Sequence, residues 1–427
     1  TNLIHDHMRS WLTEFSDLDF SMTVNIDVAG ECNAFYNGNS INFYDELGGC
    51  NATSLIADVV YSVIRNKTYL EKISGSTDAP MMCLTSLNKI FGLSLTSLKA
   101  NVAKKWHESI ENLKERPIPE LSPEDRYSIP DWLWKKMNTQ YGLDGASNLA
   151  QALLAKAPFD LRVNQVRASR KQVLAELASE GIKGKATPLS SLGIRIKENF
   201  GLQKHRLFLE GHLEVQDEGS QILAQLVGAK RGQMVVDFCA GAGGKTLALG
   251  AMMSNQGRLY AFDVSAKRLE RLKPRLKRSG LSNVQTQLIG SEKDPRIQRL
   301  AGKIDRVLID APCSGLGTLR RNPDMKWRQS EKDISSMAEK QLRILSAASK
   351  LVKKDGLLIY GTCSILRDEN ESVIENFLAE HQGRFEPVDA AQSLSIEGID
   401  PQNTPYLKLL PNTHGCDGFF AAILRAI

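Results

Sequence analysis

The chain has 427 residues, of which 42% are apolar and 24% are charged, a composition typical of a soluble protein with two or three domains. It contains no apolar run of about 18 residues, which excludes a helical membrane span, and its first residues do not resemble a secretory signal. The seven cysteines include no Cys-x-x-Cys pair, so they are predicted to be free thiols in a reducing, cytoplasmic compartment.

The net charge of +5 is distributed unevenly along the chain. Residues 1–60 hold nine acidic residues and one basic residue, Arg9, whereas residues 158–210 hold ten basic and five acidic residues. A basic body suits a polyanionic partner such as nucleic acid, but an ordinary solvated surface has the same composition. Charge alone leaves both alternatives open.

Three segments precede the C-terminal half. Residues 1–53 form an acidic segment rich in Gly and Asn near its end, which predicts turns and indicates no function. From residue 54 apolar residues recur at helical spacing, including 84–106, 131–137 and 148–155, which predicts a helical region over 54–157. Residues 158–214 predict a small α+β module, with strands at 159–164, 192–196 and 206–208 and a helix over 169–180.

Residues 215–427 alternate between predicted helices and short apolar strands. The strands are predicted at 233–238, 258–262, 284–289, 306–309, 357–360 and 418–424. The helices are predicted at 220–227, 247–253, 266–278, 333–352 and 369–380. Strands separated by helices of this length imply an α/β fold with a mainly parallel, doubly wound sheet.

Two cysteines follow two of these strands. Asp310 and Cys313 come after the strand predicted at 306–309, and Cys363 leaves the strand predicted at 357–360. Ligands of open α/β sheets bind at the carboxyl edge, and neighbouring strands lie about 4.8 Å apart, so the two thiols could flank one substrate atom. The alternative is that each is an inert buried cysteine, which is common beside strands.

A glycine-rich loop follows the strand predicted at 233–238 and suits close approach to a ligand. A dinucleotide site needs Gly-x-Gly-x-x-Gly, but Thr246 stands at the last position. A phosphate loop needs a glycine where Cys239 stands, although Gly-Lys-Thr at 244–246 fits.

S-adenosylmethionine needs neither pattern, and Asp263, ending the second strand, would hold its ribose hydroxyls. The sequence therefore favours this methyl donor and keeps the phosphate loop as a rival. The candidate cofactor-binding residues are Cys239, Ala240, Gly241, Ala242, Gly243, Gly244, Lys245, Asp263 and Asp310.

Four motifs occur in order along the chain: Asp-x-Cys-Ala-Gly-x-Gly-Gly-Lys-Thr at 237–246, Asp-Ala-Pro-Cys-Ser-Gly at 310–315, Arg-Arg-Asn-Pro-Asp-x-Lys-Trp at 320–327, and Gly-Thr-Cys-Ser at 361–364. From about residue 54 to the end, the chain resembles the RNA cytosine-C5 methyltransferases of the RsmB/NOP type. The resemblance implies a Rossmann-like class I methyltransferase domain dependent on S-adenosylmethionine over 215–427. It also implies a small RNA-binding module over 158–214 and a NusB-like, RNA-binding helical region over 54–157.

The resemblance implies a role for each motif. Cys363 would attack C6 of a cytosine, Cys313 would assist loss of the C5 proton, and Asp310 would hold the N3/N4 edge. Lys245 would either lower the pKa of a nearby thiol or anchor the loop. Arg320, Arg321 and Lys326 would contact RNA phosphate. The resemblance implies RNA as the partner, with ribosomal RNA as the expected class, and a monomer without metal or membrane attachment is expected.

Some points stay open at this stage. The loop reads Ala-Gly-Ala-Gly where the family often has Ala-Ala-Pro-Gly, and the residue near the adenine could be Ser291, Glu292 or Asp294. No His-Glu-x-x-His occurs, so metallopeptidase chemistry is not expected. Two other functions are carried as alternatives: a nucleotidase with a phosphate-loop-like site, and a non-catalytic RNA-binding factor in ribosome assembly.

Overall fold

The computed structural model describes residues 34–36, 41–43, 52–102, 104–197, 200–390, 393 and 404–427, so most of the acidic segment 1–53 lies outside the described residues. The chain divides into two compact units. One comprises Thr1–Lys135 and Lys326–Arg328, and the other comprises Lys136–Met325 and Gln329–Ile427. The boundaries expected at 53, 157 and 214 stay predictions.

The first unit is mainly helical. Strands β1 (Ala34–Tyr36) and β2 (Ile41–Phe43) form an antiparallel pair. The helices that follow are α1 (Ala52–Arg65), α2 (Lys67–Ser74), α3 (Ala79–Lys89), α4 (Leu95–Asn101), α5 (His107–Glu115) and α6 (Pro123–Arg126). The helix expected over 84–106 is interrupted, because Gly92 has φ 76° and Ser94 caps a new helix by accepting from Ser97 N. Helix α7 (Asp131–Leu154) starts after Pro130 and is kinked at Gly142.

The small α+β module is a four-stranded antiparallel sheet in the order β4-β5-β3-β6. Its elements are β3 (Phe159–Val163), α8 (Arg170–Ser179), β4 (Gly184–Ala186), β5 (Gly193–Ile196), α9 (Arg206–Leu209) and β6 (Leu213–Val215). The prediction of a strand at 206–208 is wrong. The His205 ring accepts from Leu207 N at 3.2 Å and caps a short helix there, so the sheet is completed by β6 instead.

The C-terminal part of the chain forms an eight-stranded sheet in the order β12-β14-β11-β10-β7-β8-β9, with β13 also paired to β14. The strands are β7 (Met234–Asp237), β8 (Arg258–Asp263), β9 (Val284–Leu288), β10 (Ile304–Asp310), β11 (Val352–Thr362), β12 (Phe385–Val388), β13 (Leu407–Leu409) and β14 (Phe419–Ala426). Strands β7 to β11 are parallel, and β14 runs antiparallel to its three neighbours.

Helices cover both faces of this sheet. They are α10 (Glu218–Leu226), α11 (Gly244–Met252), α12 (Ala266–Ser279), α13 (Pro295–Gln298), α15 (Glu331–Ser349), α16 (Glu371–Glu380) and α17 (Pro411–His414). Helix α14 (Met325–Arg328) comes between α13 and α15 in the sequence. Successive strand residues alternate between two buried clusters, with Val307 and Leu358 in one and Leu308 and Ile359 in the other. Since both faces are buried, these strands are apolar throughout, and the doubly wound α/β fold is confirmed.

The strand register brings the predicted chemistry to one edge. Asp310 lies opposite Gly361 in the parallel pair β10–β11, and Asp237 lies opposite Leu308 and Ala261. Asp263 ends β8, the next strand. Three adjacent strands, β8, β7 and β10, therefore end in an aspartate. The next strand, β11, leads to Cys363. Among the helices in the described part of the chain, none has the length and apolar character needed to cross a bilayer.

Candidate active site

The glycine-rich loop sits between the ends of β7 and β8. Gly243 has φ 84° and precedes α11, and a Cβ on it would lie 2.0 Å from the Leu272 side chain, so only glycine fits there. Gly241 N donates to Asp263 Oδ2 at 2.8 Å, and Thr246 Oγ1 donates to Asp237 Oδ2 at 2.7 Å. The loop is thereby fixed to both strand ends before any ligand binds.

Lys245 faces the substrate edge of the sheet. Its Nζ lies 2.7 Å from Asp310 Oδ2 and 5.6 Å from the centre of the Phe419 ring. Burial by itself would lower the pKa of Lys245, but the charge of Asp310 and its hydrogen bond raise that pKa above the ordinary value. Lys245 is therefore a buried ammonium paired with a carboxylate.

The two thiols lie side by side. Cys313 Sγ is 3.3 Å from Cys363 Sγ, and Cys363 N also donates to Cys313 Sγ at 3.3 Å. The hydrogen bond with Cys363, burial, and the negative charges of Cys363 and Glu369 raise the pKa of the Cys313 thiol well above its ordinary value. Cys313 thus keeps its proton beside Cys363, which matches the expectation that the two cysteines meet at one point.

Close backbone contact holds the two cysteine turns together. Gly317 N donates to Cys363 O at 2.8 Å, and Gly418 N donates to Gly317 O at 2.8 Å. A Cβ on Gly317 would lie 2.2 Å from Gly418 O, so a side chain there would force the turns apart. Ala311 N donates to Gly361 O at 2.8 Å and continues the strand pairing to the turns.

The charges at this edge favour a cationic ligand. Burial, together with the charges of Asp310 and Asp263, raises the pKa of Asp237 to about 7 against the opposing hydrogen bond from Thr246. A phosphate would be repelled by these carboxylates, and Lys245, which would hold it, is neutralised by Asp310. S-adenosylmethionine carries a sulfonium and an ammonium group, and the carboxylates can also accept from its ribose hydroxyls. The site therefore fits this cofactor.

The region next to Asp263 supplies an apolar surface that the sequence did not single out. Val264 follows Asp263 and is 61% exposed, which is unusual for a branched apolar side chain in this sheet. Of the three residues proposed near the adenine, Asp294 accepts from Gly290 N at 2.8 Å and pairs with Arg296, so its carboxylate is used to cap α13. Ser291 and Glu292 stay candidates.

The prediction that Arg320 and Lys326 contact RNA phosphate is wrong. Arg320 is 6% exposed and donates to Asp417 Oδ1 at 3.1 Å, while Lys326 is 2% exposed and donates to Arg65 O at 2.8 Å. Burial lowers the pKa of Lys326 to about 7. Arg321 is partly exposed but also pairs with Asp417 and with Asp217. Buried cations need such partners, so these charges serve the fold.

Two arginines that the sequence analysis missed support the glycine loop from behind. Arg162 in β3 donates through Nη1 to Gly244 O at 2.8 Å and also to Gln216 Oε1. Arg275 in α12 donates through Nη1 to Ala242 O at 2.6 Å. Burial lowers the pKa of Arg162 to about 10, so the guanidinium stays charged near neutral pH. A basic residue in a predicted strand gives no sign of this contact, because the contact spans 82 residues.

Replacing Arg162 with methionine is expected to weaken binding of S-adenosylmethionine about tenfold, the equivalent of one lost charged hydrogen bond of about 1.4 kcal/mol. The loop would lose the donor that fixes Gly244 O. Isothermal titration calorimetry measures the affinity, and thermal unfolding shows whether the variant folds. Arg167→Met, at an exposed arginine of the same module, is the matched control. Unchanged affinity in a folded Arg162→Met variant would refute the role.

No metal site is evident at this edge. Within the residues that the structure describes, no group of three or more His, Cys, Asp or Glu side chains is arranged to hold a metal ion. The described cysteines, including Cys239 beside the loop, are free thiols. Burial and the neighbouring carboxylates raise the pKa of Cys239, so it contributes a neutral, weakly polar surface to the loop.

Comparison with known proteins places this arrangement among the methyltransferases. Residues 224–425 match a family described as "16S rRNA methyltransferase RsmB/F", and residues 129–203 match a "Methyltr_RsmF/B-like, ferredoxin-like domain". The "Probable ribosomal RNA small subunit methyltransferase B" of Bacillus subtilis is 34% identical over 73% of this chain and 69% of its own length. Its counterpart in Synechocystis is 32% identical over 84% and 80%.

Solved structures agree with this comparison. A "Methyltransferase Homolog Protein" from Pyrococcus horikoshii is 28% identical, covers 71% of this chain and 98% of its own, and has a TM-score of 0.62. NSun6 from Pyrococcus horikoshii, solved with the S-adenosylmethionine analogue SFG, shares the fold at 20% identity, with a TM-score of 0.62 over 69% of this chain and 98% of its own.

Proposed function

Because the chain belongs to the RsmB/F family of ribosomal RNA methyltransferases, we propose that it transfers a methyl group from S-adenosylmethionine to C5 of a cytosine in small-subunit ribosomal RNA. The observation that carries the proposal is the pair of thiols, 3.3 Å apart, beside the Lys245–Asp310 ion pair at the carboxyl edge of the sheet. Neither a nucleotidase nor an RNA-binding factor without catalysis has a use for that arrangement.

The chemistry needs a nucleophile because C5 of cytosine reacts poorly with an electrophilic methyl group. In the proposed reaction the Cys363 thiolate forms a bond to C6, and the electron pair of the C5–C6 double bond moves so that C5 becomes nucleophilic. When bound, S-adenosylmethionine supplies the electrophilic methyl group. Once C5 is methylated, loss of its proton restores the double bond and expels the Cys363 thiolate, so the enzyme is regenerated.

Other residues of the site take supporting roles in this proposal. Asp310 holds the N3/N4 edge of the cytosine, and Lys245 places a positive charge near Cys363, where it stabilises the thiolate. Cys313 assists removal of the C5 proton. The residues that would hold the cofactor are those of the loop 239–245, with Asp263 as the acceptor for the ribose hydroxyls and Val264 as an apolar surface for the adenine.

The rest of the chain binds RNA in this proposal, through the regions 54–157 and 158–214, and the enzyme acts as a cytoplasmic monomer. Basic residues exposed on the module supply the contacts to phosphate, among them Arg167, Lys171, Lys183 and Lys185.

The proposal is tested with purified protein, small-subunit ribosomal RNA and S-adenosylmethionine labelled in its methyl group. Mass spectrometry of the digested nucleosides is expected to find the label in 5-methylcytidine, and bisulfite sequencing locates the position. A reaction without protein is the control. Label in another nucleoside, or none in RNA while ATP is hydrolysed, would refute the proposal.

A further inference from the structure

Glu369 is a fully buried carboxylate between the two cysteine turns. It ends the short helical turn Arg367–Glu369, which follows β11, and its side chain accepts hydrogen bonds from four groups. Oε1 accepts from Ser314 N at 2.8 Å and from Gln341 Nε2 at 3.0 Å. Oε2 accepts from Ser314 Oγ at 2.5 Å and from Ser364 Oγ. All four donors are uncharged groups.

Three of the four donors belong to the turns that carry the thiols, and the fourth, Gln341, lies in α15. Ser314 follows Cys313 and Ser364 follows Cys363, so a single carboxylate joins two turns that are 50 residues apart in the sequence. Glu369 is itself held in place, since Tyr360 Oη donates to its backbone oxygen at 2.6 Å. Gln341, which donates to the carboxylate, also donates to Pro312 O at 3.0 Å and so extends the support to the residue before Cys313.

Burying a carboxylate costs folding free energy. Removing its charge from water is unfavourable, and well-packed apolar residues would stabilise the fold at least as well. What a carboxylate does better is accept several hydrogen bonds from different directions and so fix their donors relative to one another. Asn370, the next residue, shows the difference: its side chain accepts from Thr362 Oγ1 and donates to Ser364 O, and both of these groups belong to the Cys363 turn.

We propose that Glu369 is a positioning residue that sets the separation of the two thiols by binding Ser314 and Ser364 at once. This inference rests on the proposed function for its consequence in catalysis, because a proton must be lost beside a ring that is bound to Cys363. The separation itself is a property of the free protein and is measurable without RNA. Glu369 does not touch the reacting atoms; it acts through the turns.

The test uses the full-length protein with Glu369→Gln, which keeps the shape of the side chain but turns one oxygen into a donor. Diamide oxidises two adjacent thiols to a disulfide and is itself reduced to a hydrazine, so it reports their proximity. Peptide mass mapping follows the Cys313–Cys363 disulfide. Glu369→Gln is expected to slow its formation about tenfold, corresponding to the loss of one hydrogen bond of about 1.4 kcal/mol. In methylation assays, kcat is expected to fall while KM for RNA is unchanged.

The matched control is Glu371→Gln. Glu371 is also buried, lies two residues away and pairs with Lys408 rather than with a cysteine turn, so its loss should leave disulfide formation at the wild-type rate. Ser364→Ala removes one of the four hydrogen bonds to Glu369, together with the hydrogen bond that Ser314 Oγ donates to Ser364 Oγ at 3.3 Å, and is expected to act in the same direction. If Glu369→Gln does not fold, disulfide formation is measured in Ser364→Ala instead.

The outcomes separate the two proposals. Wild-type rates of disulfide formation in folded Glu369→Gln, or in Ser364→Ala where the former does not fold, would overturn the positioning role whatever the methylation result. A slower disulfide in a protein that never methylates cytosine would keep the positioning role and reject the proposed function.

Discussion

Replacing Cys363 with alanine is expected to reduce cytosine methylation about 10⁴-fold or more while S-adenosylmethionine still binds with wild-type affinity. Without the sulfur no bond to C6 forms, so C5 never becomes nucleophilic. The glycine loop and Asp263, which are proposed to hold the cofactor, are untouched by the change. Initial rates with labelled methyl donor measure the first effect, and calorimetry measures the second.

The control for this substitution is Cys83→Ala. Cys83 is a free thiol in α3, outside the thiol pair, and burial raises its pKa to about 12, so it is a poor nucleophile. Cys83→Ala should methylate at the wild-type rate. If Cys363→Ala retained activity, a different nucleophile or a mechanism without a covalent adduct would have to be sought.

Replacing Cys313 with alanine is expected to leave formation of the bond between Cys363 and C6 intact and to block its release, because the enzyme should begin the reaction and fail to complete it. The hydrogen bond with Cys363 is the largest cause of the raised pKa of Cys313, and the charge of Cys363 adds to it. Once Cys363 is bonded to C6 its sulfur carries no negative charge, so that charge no longer opposes loss of the Cys313 proton in the intermediate where a proton acceptor is needed. Without Cys313, the methylated adduct should accumulate.

The adduct is detected as labelled RNA that migrates with the protein on a denaturing gel. Turnover is expected to fall about 10²-fold or more, the usual contribution of a positioned acid or base. The double variant Cys313→Ala with Cys363→Ala should form no adduct, which shows that the bond is to residue 363. Normal turnover by Cys313→Ala, or the absence of any adduct, would remove Cys313 from this step.

The fold and the pairing of the thiols could be predicted from the sequence because both depend on local signals. Short apolar strands alternating with helices imply a parallel sheet, and parallel strands place their carboxyl ends at one edge. Asp310 ends β10, Cys313 comes three residues later, and Cys363 directly follows β11. Their proximity was predicted on the condition that the two strands are neighbours; the structure shows that β10 and β11 pair, with 3.3 Å between the sulfur atoms.

Long-range polar contacts could not be predicted in this way. Glu369 and Arg162 look like ordinary charged residues, and their roles depend on partners 55 and 82 residues away. Arg320 and Lys326 were interpreted as exposed because they belong to a basic motif, yet both are buried. At 206–208 the apolar residues suggested a strand, whereas a single hydrogen bond to the His205 ring is enough to favour a helical turn over so short a stretch.

The support of the glycine loop by the α+β module has a consequence for the evolution of such chains. Arg162 reaches Gly244 O, Asn164 donates to Ser279 O at 3.0 Å, and Leu189 N donates to Glu218 Oε1 at 2.6 Å, so buried polar groups on either side satisfy one another. If this module were exchanged for an unrelated one, those buried polar groups would have no water or protein group as a hydrogen-bond partner. Gln140 and Tyr141 also donate to Ile365 O, at 3.0 and 2.6 Å, so recombination should preserve residues 136–427 as a single inherited block, whereas insertions and losses are tolerated more readily before it.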